Sequence, residues 1–103
     1  PPVPQHAFYG MVVVPALKEQ LLKEDNPQLI KRFFALFEEM AGSGEDHVVG
    51  VLAATVLEGI DGDEYLNPAK KYMGPKTLKL DEYVHGPRFD EDYPVKELAE
   101  GND

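Results

Sequence analysis

The sequence predicts an all-α protein, a small bundle or short α-solenoid of about five helices at residues 15–25, 27–41, 45–60, 64–73 and 75–85, with an extended N-terminal arm and an acidic C-terminal tail. Three observations predict it. No Asp, Glu, Lys or Arg interrupts the eleven positions from His47 to Leu57, and an apolar run of that length inside a sixteen-residue segment exceeds an ordinary strand and falls short of a membrane span. The segment before it repeats apolar residues at helical spacing. Asn-Pro pairs at 26–27 and 67–68 and glycines at 42, 74 and 86 supply the caps, first-turn prolines and stops that punctuate helices.

Residues 1–15, PPVPQHAFYGMVVVP, hold four prolines, which remove backbone donors and disfavour helix in the residues before them. An extended arm is expected, with a short strand at Met11 to Val14. Pro15 then opens a first helix in which Leu17, Leu21 and Leu22 alternate with Lys18, Glu19, Gln20 and Lys23. In the second helix Leu29, Ile30, Phe33, Phe34, Phe37, Met40 and Ala41 form a broad apolar face. Its phenylalanines read as core rather than as a ligand pocket. The helix carries Lys31 and Arg32 near its start and Glu38 and Glu39 near its end, against the helix dipole, which hints that the two acids serve something outside it.

Glu45 to Ile60 reads as the shared inner helix. Glu45 and Asp46 suit its positive end, Val49, Leu52, Val56, Leu57 and Ile60 fill space, and Gly50, Ala53 and Ala54 allow a neighbour to approach closely. Glu58 reads as a helix-end acid in reach of water or Lys70 rather than as a buried catalytic group. Asp61-Gly62-Asp63-Glu64 begins like a calcium loop, but Tyr65 and Leu66 stand where that loop needs an oxygen donor and a glycine, so a turn is expected. Within 64–73, Asn67-Pro68 reads as a second cap-and-proline start for AKKYM, and Pro75 opens the last helix, PKTLKLDEYVH. Two successive helix pairs suggest the stacked hairpins of HEAT-like arrays.

Length suits one helical domain, 1–86, followed by an acidic tail, 87–103, and because the chain opens on Pro1 instead of Met, a natural N-terminal portion is expected to be missing. The 19 acids against 10 bases leave a net charge of −9, which disfavours nucleic acid as partner and favours encounter with a cationic protein. In the tail Asp90, Glu91, Asp92, Glu97, Glu100 and Asp103 stand against Arg88 and Lys96, while Phe89, Tyr93, Val95 and Leu98 offer apolar anchors. The tail is read as a solubiliser or, through those anchors, as a contact. Cysteine is absent, which excludes disulfides, thiolate metal sites and a cysteine nucleophile and suits the cytoplasm. There is no Ser-His-acid motif, phosphate loop or metal-ligand cluster, and His6, His47 and His85 lie on different elements. No enzyme, cofactor, metal or membrane association is expected.

HAFYGMVVVPALKEQL, FEEMAGSGED, the VLE of Val56 to Glu58 and the YMGPKT of Tyr72 to Thr77 together resemble, over residues 5–80, a family of small bacterial all-helical, HEAT-like proteins that act as immunity proteins of toxin systems. The acidic tail departs from that pattern. The resemblance implies a non-enzymatic module that binds and neutralises a basic toxin domain; a HEAT-like scaffold holding a protein or peptide is the alternative. The residues expected to meet the partner are Glu38, Glu39, Glu45, Asp46, Asp61, Asp63, Glu64, Tyr65, Tyr83, Asp90, Glu91, Asp92 and Tyr93. Acids would steer the encounter and tyrosines would supply desolvated anchors.

Overall fold

The computed structural model describes residues 5–86 and 93–100, with only the backbone of Gln5. Six helices and no strand occupy these residues. α1 spans residues 5–23; α2 is Pro27–Ala41; α3 joins Asp46–Val51 to a π-helical stretch, Leu52–Leu57; α4 is Asp63–Lys70, α5 Pro75–His85 and α6 Val95–Glu100. No described helix is long and apolar enough to cross a membrane.

The largest departure from expectation is the N-terminal arm. Residues 5–14 are helical and run without a break into the first expected helix. Where a strand was expected, Tyr9–Val13 is π-helical, and the Val14 N–H donates to the Tyr9 carbonyl. The reason lies at Pro15. In a regular helix a proline ring strikes the carbonyl four residues earlier, and a wider π turn just before it moves that carbonyl aside. Burial supplies the driving force, because Val13, Val14, Leu17 and Leu21 all enter the core.

α2 follows the sequence closely. The Asn26 side chain accepts from the Leu29 N–H, Pro27 takes the first helical position, and the Gly42 N–H returns to the Glu38 carbonyl. Ile30, Phe34, Phe37, Met40 and Ala41 are buried, with Phe34 and Phe37 edge to face at 5.1 Å. α3 packs against α1, α2 and α5, and Val49, Val51, Leu52, Ala53, Val56, Leu57 and Ile60 are fully buried. The inner position expected of Glu45 to Ile60 therefore holds.

The close approach holds only in part where it was expected: Ala53 is fully buried, but its two companions are not at a contact. Ala54 is exposed, and a methyl at Gly50 would touch nothing. The tight points are Gly59, where a Cβ would stand 3.0 Å from Val14 Cγ1, and Gly10, where it would stand 3.4 Å from Thr55 Cγ2. The two contacts advance together along α1 and α3, so these helices run parallel there, with their π-helical stretches side by side.

α4 begins at Asp63, ahead of Asn67-Pro68, and encloses Pro68. The start is set by Gly62, whose φ of +126° turns the chain sharply and whose carbonyl accepts from the Tyr65 and Leu66 N–H groups. Asp63 and Glu64 in the first turn add favourable charge. Beyond Pro68 the helix tightens, with Lys71 and Tyr72 donating to Pro68 and Ala69, and ends short of the expected 73. α5 keeps its expected bounds. Residues 93–100 of the acidic segment return to the body: α6 lies against α2, and Leu98 is buried in the core.

Candidate partner-binding surface

The turn leaving α3 gathers the densest set of expected contact residues. Asp61 is 78% exposed; Asp63 and Glu64 open α4 toward solvent, and the Glu64 carboxylate folds back beside Gly62. Tyr65 is half-buried, and the Lys18 ammonium of α1 lies 4.8 Å from its ring centre, a cation–π contact that holds the ring at the edge of the cluster. Among the described residues, neither Asp63 nor Glu64 forms an ion pair with a Lys or Arg.

Behind this turn stands a pair that sequence reasoning missed. His85 Nδ1 lies 2.8 Å from Asp81 Oδ1, and its Nε2 faces Asp61 Oδ1 at 4.0 Å. Asp81 is buried, and burial raises its carboxyl above the usual aspartate value, opposed by the adjacent His85. The carboxylate accepts from the ring, fixing its orientation so that the other nitrogen points at the acidic turn. The signal was present in DEYVH, where Asp81 and His85 stand four apart on one helix face. What it lacked was any sign that the position of Asp81 is buried.

The other expected residues lie elsewhere. Glu45 and Asp46 sit at the opposite end of α3. Asp46 opens α3 and Asp61 follows its last turn, so the acids form two clusters at opposite ends of this helix rather than one continuous surface. Ser43 Oγ accepts from the Glu45 N–H at 3.2 Å and shapes the turn into α3. Tyr83 and Tyr93 meet each other, rings edge to face at 5.9 Å, and help seat the chain leading into α6. Asp90, Glu91 and Asp92 lie outside the described residues. Glu39 is exposed on a shallow groove with Ala35, Glu38, Gly42 and Lys76.

Glu38 is committed internally. Its Oε2 accepts from the Lys76 N–H at 2.9 Å, and its Oε1 accepts from the Thr77 N–H and the Thr77 hydroxyl, each at 2.9 Å. A carboxylate from α2 thus caps the N-terminus of α5, satisfying backbone donors that a helix start leaves open and meeting the positive end of its dipole. The apparent misfit of an acid near the C-terminus of α2 is resolved by a second helix end. A methyl on Gly74 would strike this carboxylate, which accounts for glycine between Met73 and Pro75. FEEMA and YMGPKT, separate motifs in the chain, form one hydrogen-bonded unit in space.

The remaining histidines pair differently. His6 Nδ1 lies 2.5 Å from Thr55 Oγ1, and its ring stands edge to face with His47 at 6.0 Å. Among the described residues no group of three or more His, Cys, Asp or Glu is placed to hold a metal ion. Glu58, weighed as an acid at a helix end, is exposed.

Residues 4–89 match the family described as Domain of unknown function (DUF7674), and the chain belongs to that family. No curated protein and no solved structure matches the chain significantly.

Proposed function

We propose that this DUF7674 member is a non-enzymatic binding module that presents the acidic turn of Asp61, Asp63 and Glu64, with Tyr65 at its edge, to a cationic protein. Within that reading it is a cytoplasmic immunity protein that covers a basic toxin domain. The observation that carries the proposal is the set of exposed carboxylates held on an ordered helix start by Gly62 and α4. Fixed charges of one sign raise encounter rates with a partner of the opposite sign without requiring the surface to rearrange. A half-buried tyrosine beside them offers the flat, partly desolvated contact that interfaces favour.

The test is co-expression with the product of the adjacent gene, followed by binding kinetics. The reading expects growth to be restored and a complex to be recovered. It also expects Asp61→Asn, Asp63→Asn and Glu64→Gln together to slow association about tenfold at low salt, with the difference shrinking as screening increases. Rescue and association unaffected by the triple substitution would place the contact elsewhere. A stable complex with a harmless partner would favour the scaffold reading over immunity.

A further inference from the structure

We propose that protonation of His85 draws Asp61 off the acidic turn, so that this surface loses charge and loosens its hold on a cationic partner as pH falls through the histidine range. This regulation rests on the turn being the partner-binding surface. His85 closes α5 directly behind the turn, and its two ring nitrogens face different carboxylates. Nδ1 stands 2.8 Å from Asp81 Oδ1, and Nε2 stands 4.0 Å from Asp61 Oδ1.

The two distances mark two kinds of contact. Asp81 is buried; its carboxylate accepts the Nδ1 hydrogen and anchors the ring. In the neutral ring Nε2 is then a bare acceptor. It faces the Asp61 carboxylate, and two acceptors form no hydrogen bond, which agrees with their separation of 4.0 Å. A second proton turns Nε2 into a charged donor, and a charge-assisted N–H···O bond closes to about 2.7–2.9 Å. Asp61 makes the move. Its side chain is far more exposed than the ring, so it can cross the remaining distance of about 1 Å by rotating, while Asp81 holds His85 in place.

The charges around the pair come from every neighbouring element. α4 contributes Lys70 and α5 contributes Glu82, and they act on Asp81 with opposite sign. The π-helical stretch of α3 packed against α5, Leu52–Leu57, has no ionisable side chain. α2 brings Glu38 to the far end of α5, and Tyr93 meets α5 at Tyr83. On the turn itself Asp63 and Glu64 open α4, and the Glu64 carboxylate is turned back beside Gly62. Among the described residues, Asp61 is the carboxylate that faces Nε2.

A histidine ordinarily changes charge between pH 5 and 8, an interval in which carboxylates are ordinarily ionised throughout. The contact therefore closes as pH falls and opens as it rises. Closing it offsets one of the three charges of Asp61, Asp63 and Glu64. Where the three together contribute about tenfold to association, one contributes about twofold.

The full chain without a partner tests the contact by NMR, through the carboxyl carbon of Asp61 and the ring nitrogens of His85 followed from about pH 4 to about pH 9. The proposal expects Asp61 to show a second step that coincides with the His85 titration and disappears in His85→Gln. It expects Asp61→Asn, at an exposed position that leaves the melt unchanged, to lower the His85 midpoint by about half a pH unit or more. A short oligolysine peptide at low salt tests the surface. Its affinity should fall about twofold more between about pH 8 and about pH 5 in the wild type than in Asp61→Asn. Independent titration of Asp61 and His85 would overturn the proposal whatever the peptide does. Coupled titration with peptide binding indifferent to Asp61→Asn at both pH values would overturn the regulatory role, and with it the turn as the binding surface.

Discussion

Replacing Glu38 by alanine tests whether this carboxylate supports the fold or merely faces solvent. Three donors converge on it, two backbone N–H groups at the start of α5 and the hydroxyl of Thr77, a fully buried residue. Loss of a helix cap costs about 0.5–2 kcal/mol, and leaving a buried hydroxyl without its acceptor adds about 1–3 kcal/mol. These contributions overlap, and water reaches the half-buried site, so Glu38→Ala should destabilise by roughly 2–4 kcal/mol. For a domain of this size that lowers Tm by roughly 10 °C or more. Glu38→Gln should fall between wild type and Ala, since one oxygen can still accept while the amide presents donors to the Lys76 N–H. Gly74→Ala should reproduce part of the loss by displacing the carboxylate. The assay is urea unfolding of the full chain followed by circular dichroism, with a double-mutant cycle through Thr77→Val to isolate the shared hydrogen bond. A loss below about 0.5 kcal/mol, as for an ordinary surface glutamate, would refute the cap as a stabilising contact.

Further predictions address other parts of the fold. Because the Asp81 carboxyl lies above its ordinary value of 3.8 when folded, the native state holds that proton more tightly than the unfolded chain. Its stabilising contribution is full below 3.8 and is lost as pH rises through the raised value. Stability measured against Asp81→Asn should therefore decline across that interval and level off above it; a difference independent of pH would contradict the assignment. Leu98→Ala should cost about 2–5 kcal/mol and detach α6, seen as faster amide exchange in residues 95–100, whereas an unchanged melt would mean that α6 contributes nothing to the body. Gly62→Ala should destabilise by about 1–3 kcal/mol, because a φ of +126° is strained for any residue with a side chain; thermal unfolding reads the result.

The helical class, the bounds of α2 and α5, and the inner position of α3 were legible in the chain because they depend on local causes. Asn26-Pro27, Gly42, Pro75 and an uncharged run around Val51 act within a turn or two of themselves, and sequence displays such effects directly. The N-terminal segment was misread because its prolines argue locally against helix, while burial of Val13, Val14 and Leu17 and a π turn ahead of Pro15 overcome that preference. Close packing involved Gly10 and Gly59 in place of Gly50 because only the crossing of α1 and α3 decides which small residue faces a neighbour. The same limit governs the functional residues. An acid at position 38 or 61 looks alike in sequence, and tertiary structure alone aims Glu38 at the start of α5 and leaves Asp61 exposed beside His85. Composition determined that this protein would carry a strongly acidic surface on a helical frame. Long-range packing decided which acids stabilise the frame, because a carboxylate's role depends on the donors around it and those donors come from distant parts of the chain.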